Sequence, residues 1–165
     1  MSELRQQFEN LGLLGVETFI ASGNVIFESD KVLLDQLETD ISSMLSQTYG
    51  FNVETYIRAP QVIATILAAS PFPPHKVESR HSLYACFFPT PLSPSAIEAT
   101  LSLQNDENDF HFIDNNLLWL NQKNQLETSI TQVQMEKATG TKMTARNINT
   151  LARMIAKHPP NSTTP

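Results

Sequence analysis

Two short stretches of the 165-residue sequence echo each other and constrain the fold. FIASGNVIF, residues 19–27, aligns with FIDNNLLWL, residues 112–120, with the polar turn residues at the same place. In both, β-branched or aromatic residues surround a short polar turn, a pattern that predicts a β-hairpin. Helical patterns flank both hairpins. The echo therefore indicates two α+β subdomains built on one plan.

The first half of the sequence predicts the order helix, strand, strand, helix, strand. A hairpin with its turn at residues 22–24 follows the first helical pattern, and the second helical pattern ends at Gly50. Residues 51–58, FNVETYIR, predict a further strand. One strand in front of this series would complete a βαββαβ unit. We therefore expect an α+β fold of two ferredoxin-like subdomains, the first lacking its first strand in this chain.

The second half begins after a crossover helix that a proline opens at residues 60–69. The prolines within residues 71–81 argue against regular structure, so we place the seam between the subdomains there. A buried strand, a helix, a hairpin turning at Asn115 and Asn116 and another helix follow, and we expect the final helix at residues 144–157. The predicted division is an N-terminal subdomain at 1–70, the Pro-rich seam at 71–81, a C-terminal subdomain at 82–157 and a disordered tail at 158–165.

Charge and cysteine content limit the classes of function. The formal net charge is −6, so no general basic field attracts the chain to nucleic acid. The single cysteine, Cys86, has no partner for an internal disulfide and fits a reducing cytoplasm. No apolar run approaches the roughly 20 residues that a membrane-spanning helix needs. We expect a cytoplasmic protein with no membrane partner.

The strongest candidate for a binding site lies in TKMTARNINT, where polar side chains gather at the predicted start of the final helix. Its members are Lys142, Thr144, Arg146, Asn147, Asn149 and Thr150. Thr144 can cap the helix, while the first-turn N–H groups and the guanidinium of Arg146 can bind an anion. The alternative is a capped helix whose arginine pairs with a carboxylate such as Glu136. Both interpretations stay open on the sequence alone.

A second candidate is the turn of the first hairpin, formed by Ser22, Gly23 and Asn24. Glycine and asparagine tolerate the positive φ that a two-residue hairpin turn needs, so a structural role alone explains them. A functional role would use the serine hydroxyl and the asparagine amide as ligand contacts. We predict that Arg146 points toward a concave surface shared with this turn.

Other residue patterns point away from metal and cofactor chemistry. Cys86 lies within YACFF, whose strand-forming aromatics predict a buried and unreactive thiol. The four histidines show no i, i+4 pair and no cysteine neighbour, so we expect no metal site. The sequence has five glycines and no glycine-rich phosphate loop, and we expect no cofactor. No catalytic pair stands out, so whether the chain is an enzyme stays open.

Several blocks of the sequence resemble domain-of-unknown-function family 1697 (DUF1697), a bacterial family. They are the opening region at 1–29, which contains the hairpin, SPFP at 70–73, LYACFF at 83–88 and TARNINTLARM at 144–154. The resemblance implies the fold and the candidate positions but no reaction. Family members normally begin with a strand ending in Arg-Gly-Ile-Asn, so the resemblance implies that this strand is the missing first strand. Many members have tryptophan where this chain has Ile148.

Three functions stay open at this point. The leading hypothesis is a protein that binds a small anionic ligand through Thr144, Arg146, Asn147 and the turn at residues 22–24. One alternative is a single-stranded nucleic-acid-binding module that uses the basic C-terminal helix. The other is an enzyme whose site needs the absent N-terminal loop. Nucleic-acid binding should weaken steeply with salt, which separates it from the leading hypothesis.

Overall fold

The structure is a computed structural model and describes residues 2–19, 23–30, 33–123 and 127–160. The helices in these residues are α1 (Ser2–Asn10), α2 (Leu34–Tyr49), α3 (Pro60–Ala68), α4 (Pro74–Ser79), α5 (Pro94–Leu101), α6 (Gln132–Thr139) and α7 (Ile148–Lys157). The strands are β1 (Leu14–Phe19), β2 (Asn24–Glu28), β3 (Ser82–Phe87), β4 (Asn108–Ile113), β5 (Asn116–Asn121) and β6 (Thr144–Asn147). Both sheets are antiparallel, and the mixture of helices and strands confirms the predicted α+β class.

The chain divides into two compact units, residues 1–57 and 58–165. This division differs from the predicted one, because helix α3 and the predicted seam at residues 71–81 both belong to the second unit. Part of the seam is also regular, since α4 occupies Pro74–Ser79. Pro74 is the first residue of this helix, where a missing N–H breaks no intrahelical hydrogen bond.

The first unit is a hairpin and two helices around a small core. β1 and β2 pair antiparallel. The core consists of buried apolar side chains from α1, β1, α2 and the turn after α1: Phe8, Leu13, Val16, Leu37, Ile41 and Leu45. α2 ends as predicted at Gly50, whose φ of 76° is the left-handed conformation that glycine adopts readily.

The turn of this first hairpin differs from the prediction. Asn24 pairs with Phe19 and is the first residue of β2. Asn24, which was predicted to lie in the turn at 22–24, is therefore part of the strand. Residues 20–22, which include Ser22 of the predicted turn, lie outside the described part of the chain.

The strand predicted at residues 51–58 is also wrong, because this segment forms no ladder in the structure. Side chains of α2 take its backbone hydrogen bonds instead. The N–H of Val53 donates to Ser46 Oγ at 2.9 Å, and the N–H of Ile57 donates to the carboxylate of Glu38. A backbone that is satisfied in this way does not need a neighbouring strand.

The second unit is built on a four-stranded sheet in the order β4-β5-β3-β6. Along the chain its central elements are β3, α5, β4, β5, α6 and β6, the order of a split βαβ unit. β3 lies between β5 and β6, and its residue Ala85 stands opposite Leu118 on one side and Arg146 on the other. The ferredoxin-like assignment of both subdomains stays a prediction, since the sheet of the first unit has two strands.

The second hairpin turns one residue earlier than predicted. Ile113 pairs with Asn116, so the turn consists of Asp114 and Asn115. Asp114 has a φ of 49°, in the left-handed region that aspartate and asparagine tolerate better than most side chains.

Side chains alternate between the two faces of this sheet, and residues directly opposite in register share a face. The first face packs with α6 and neighbouring loops in one buried cluster. That cluster contains Cys86, Phe88, Phe110, Leu117, Trp119, Ile130, Met135 and Met143. The second face carries the buried residues Ala85, Phe87 and Leu118. Thr144 and Arg146 of β6 lie on the second face, opposite two of these residues.

Candidate functional site

The final helix begins later than the sequence predicted. Thr144–Asn147 forms strand β6, which pairs with β3, and α7 begins at Ile148. The helix is capped by Asn147, whose Oδ1 accepts the N–H of Asn149 at 2.9 Å. The predicted cap, Thr144, lies in the strand. The correction matters for the site, because it places the candidate residues on a sheet instead of on the first turn of a helix.

Arg146 lies half-buried on the second face of the sheet, opposite Ala85. Its Nη1 donates to Thr144 Oγ1 at 2.6 Å and to the carbonyl of Ala145 at 3.0 Å. Partial burial lowers the pKa of the guanidinium, which nevertheless stays charged at neutral pH. The bond to Thr144 directs the guanidinium back along β6 toward that residue.

A second arginine, which the sequence pattern did not single out, lies over the same face. The guanidinium carbon of Arg58 is 5.4 Å from the ring centre of Phe87. The Nη2 of Arg58 also donates to the backbone carbonyl of Phe88 at 2.5 Å. Phe87 stands opposite Thr144, the residue toward which Arg146 points. We call Arg58 and Arg146 the arginine pair.

Lys142, another predicted ligand contact, forms an ion pair with Glu136. Its Nζ is 2.9 Å from Glu136 Oε2, and its side chain is 65% exposed. Glu136 also accepts hydrogen bonds from the side chain of Gln132 and the N–H of Met143. Burial raises the pKa of Glu136, but these hydrogen bonds and the charge of Lys142 outweigh burial and leave the pKa below its usual value. In the described part of the chain, Glu136 forms its ion pair with Lys142 and not with Arg146, which the sequence had offered as an alternative partner.

The next two predicted contacts lie in the first turn of α7. Asn149 is exposed, and its backbone N–H is the one that the cap accepts. Thr150 is half-buried. The side chain of Asn147 serves the helix as its cap, so its predicted role as a ligand contact stays a prediction.

The other candidate, the turn of the first hairpin, belongs to the first unit. Gly23 has a φ of 71°, and Asn24 Nδ2 donates to the carbonyl of Phe19 at 3.4 Å. Ser22 lies outside the described residues. The surface predicted between this turn and Arg146 stays a prediction.

Cys86 is fully buried on the first face, as predicted, and burial raises the pKa of its thiol to about 12. In residues 2–19, 23–30, 33–123 and 127–160, no three histidine, cysteine, aspartate or glutamate side chains gather as a metal site would require. Within the same ranges, none of the helices combines the length and the apolar character that crossing a membrane demands.

A model of the family described as "Protein of unknown function (DUF1697)" matches residues 1–118. The chain belongs to the DUF1697 family. The matched region includes the first hairpin, Arg58 and β3. It ends before residues 144–154, where the resemblance rests on the sequence blocks alone.

The fold of this DUF1697 chain is similar to that of a solved structure, the conserved bacterial protein SP0830 from Streptococcus pneumoniae. The TM-score is 0.67 at 21% sequence identity, and the alignment covers 93% of this chain and 86% of that chain. At this identity the similarity supports the fold alone. No curated protein matches the chain significantly.

Proposed function

We propose that this DUF1697 protein binds a small anionic ligand, with a phosphate or carboxylate group, at the arginine pair. The observation that carries the proposal is that two guanidinium groups lie at one register pair of the sheet. Arg58 lies over the ring of Phe87, and Arg146 donates to Thr144, which stands opposite Phe87. Guanidinium groups present donors in a planar fork that matches the oxygens of these anions. The hydroxyl of Thr144 adds a further polar group.

The apolar side chains beneath the arginine pair favour an anion as its ligand. Ala85 is 0% and Phe87 4% exposed, so apolar atoms shield the guanidinium groups from water on that side. Both arginines are themselves half-buried. A guanidinium in such a partly desolvated position makes charge-assisted hydrogen bonds to an anion that are stronger than hydrogen bonds between neutral groups.

The overall charge of the protein favours a small ligand over nucleic acid. A net charge of −6 repels a long polyanion, whereas a small anion senses mainly the local field of the two arginines. The arginine pair and Thr144 are hydrogen-bond donors at neutral pH, and none of the three is a general base. The proposed activity is therefore binding, and a cytoplasmic location, which suits a chain with one free thiol, is part of the proposal.

The test is a calorimetric titration of the protein with inorganic phosphate and with acetate. Arg146→Ala and Arg58→Ala should each weaken binding about tenfold or more, a loss of about 1.4 kcal/mol. Arg146→Lys should also weaken binding, because lysine keeps the charge but loses the fork. The matched control is Arg153→Ala, which removes the same charge from an exposed position on α7 and should leave the affinity unchanged.

Circular dichroism melts of each variant show whether a loss of binding reflects unfolding. The proposal fails if neither anion binds the wild type up to roughly 10 mM, an affinity of about −2.7 kcal/mol. It also fails if Arg153→Ala reduces binding as much as Arg146→Ala does. Tighter binding of a single-stranded oligonucleotide than of phosphate, with a steep dependence on salt, would favour the nucleic-acid alternative instead.

A further inference from the structure

A small cleft opens on the second unit between helix α3 and the β4–β5 turn. Its cavity volume is about 90 Å³. Its apolar walls are Val62, Ile66 and Ile113, and its polar lining includes Gln61, Asp114 and Asn116. This combination of apolar walls and a few polar groups is typical of sites for small ligands.

Asn116 has an unsatisfied hydrogen-bond acceptor at this cleft. The residue is 6% exposed, and its Oδ1 is buried without a hydrogen-bond partner. Its Nδ2 donates to the carbonyl of Ile113 at 3.4 Å, and the oxygen is the unpaired end of the amide. A buried acceptor without a partner is unfavourable, so a ligand that brings an N–H donor is favoured.

Asp114 adds a negative charge to the same cleft. Its side chain is exposed, and its carboxylate has no ion-pair partner within the described residues. The carboxylate and the amide oxygen of Asn116 both accept hydrogen bonds. The complementary ligand group is therefore a positively charged donor, and an alkylammonium matches the apolar walls as well.

The cleft and the arginine pair lie on one row of the sheet. In register, Asn116 stands opposite Phe87, and Phe87 stands opposite Thr144. Three adjacent strands place the two ends of this row about 10 Å apart. We infer that the ligand of the arginine pair is zwitterionic and that its ammonium group enters the cleft beside Asp114 and Asn116. This inference rests on the anion site proposed above.

Two probes that differ in one group test this inference. 6-Aminohexyl phosphate carries both charges on a chain long enough to span this row, while hexyl phosphate lacks the amine. The wild type should bind the aminated probe roughly threefold to tenfold more tightly, the range for one partly exposed ion pair with a charge-assisted hydrogen bond. Isothermal titration calorimetry gives both affinities. In isotope-labelled protein, the side-chain amide signals of Gln61 and Asn116 should shift with the aminated probe alone.

Asp114→Asn should remove the preference while leaving the affinity for hexyl phosphate unchanged. Asparagine tolerates the left-handed backbone of this turn, so the fold is retained. Asp106→Asn, at an exposed carboxylate outside the cleft, is the control and should keep the preference. Equal affinities of the two probes for the wild type, or an undiminished preference in Asp114→Asn, would overturn the inference while the anion site stands. Failure of both probes to bind would overturn the anion site itself.

Discussion

Replacing Asn147 by alanine tests where the last helix begins. In the structure Asn147 Oδ1 accepts the N–H of Asn149 at 2.9 Å, and Asn147 itself has extended backbone dihedrals, as a cap should. Alanine leaves that N–H to water and removes the geometric restraint on the helix start. Measured losses of such caps are typically about 1 kcal/mol, within a range of about 0.5–2 kcal/mol. We expect about 1 kcal/mol here, since Asn147 is half-buried and α7 buries Leu151.

Urea denaturation followed by circular dichroism measures this loss, and a thermal melt of the second unit should fall by roughly 4–8 °C per kcal/mol. Asn149→Ala is the control, because its exposed side chain makes no described hydrogen bond and its removal should change stability by no more than about 0.5 kcal/mol. The reasoning is refuted if Asn147→Ala is as stable as the wild type or if both variants lose the same stability.

The remaining predictions concern three buried groups. Asn108→Ala should lower the free energy of unfolding by about 2–4 kcal/mol in a urea titration, because Asn108 Oδ1 accepts the indole N–H of Trp119 at 2.8 Å and the hydroxyl of Thr128 at 3.1 Å; a loss below about 0.5 kcal/mol would contradict it. Cys86, buried and with its pKa raised to about 12, should react with Ellman's reagent only as the protein unfolds, and rapid labelling of the native protein would show otherwise. The pKa of Glu136 is lowered in the folded state, so its stabilising contribution is present above the unfolded pKa and is lost as pH falls through the folded pKa. Glu136→Gln should therefore be less stable than the wild type at neutral pH and approach it in acid, and a pH-independent difference in urea denaturation would argue against this.

The parts of the fold that local signals determine were predictable from the sequence. α2 ends at Gly50 and α6 at Gly140, and both glycines have the positive φ that a helix C-terminus favours. α5 begins at Pro94 and is capped by Ser93, whose hydroxyl accepts the N–H of Ala96, and a proline in the first turn is typical of helix starts. Each of these signals lies within a few residues of the feature that it marks.

Long-range pairing was not predictable in the same way. β6 is a strand because its four residues pair with β3, which lies much earlier in the chain. The sequence TARN shows no alternation of apolar and polar residues, and it directly precedes a strongly amphipathic helix, so the local pattern favoured an early helix start. Conversely, residues 51–58 have strand-forming composition, but side chains of α2 satisfy their backbone.

The candidate site was predictable only in part. Arg146 and Thr144 were named from their clustering with other polar residues, and the structure places both on the second face of the sheet. Arg58 was missed, because it is the last residue of the strand-like segment 51–58 and no local pattern relates it to β3. Its position over Phe87 depends on tertiary structure. A single arginine at the end of a strand-like segment is ordinarily interpreted as a solvent-exposed residue that marks the end of the strand.

The most direct test of the account is a phosphate titration of isotope-labelled protein, monitored at the side-chain Nε–H signals of Arg58 and Arg146. If both guanidinium groups hold one anion, the two signals should shift together and give the same dissociation constant. The signal of Arg153 should stay in place, and Arg146→Ala should abolish the shift at Arg58. Different dissociation constants for the two arginines, or no shift at either up to roughly 10 mM phosphate, would contradict the proposal that the arginine pair forms an anion site.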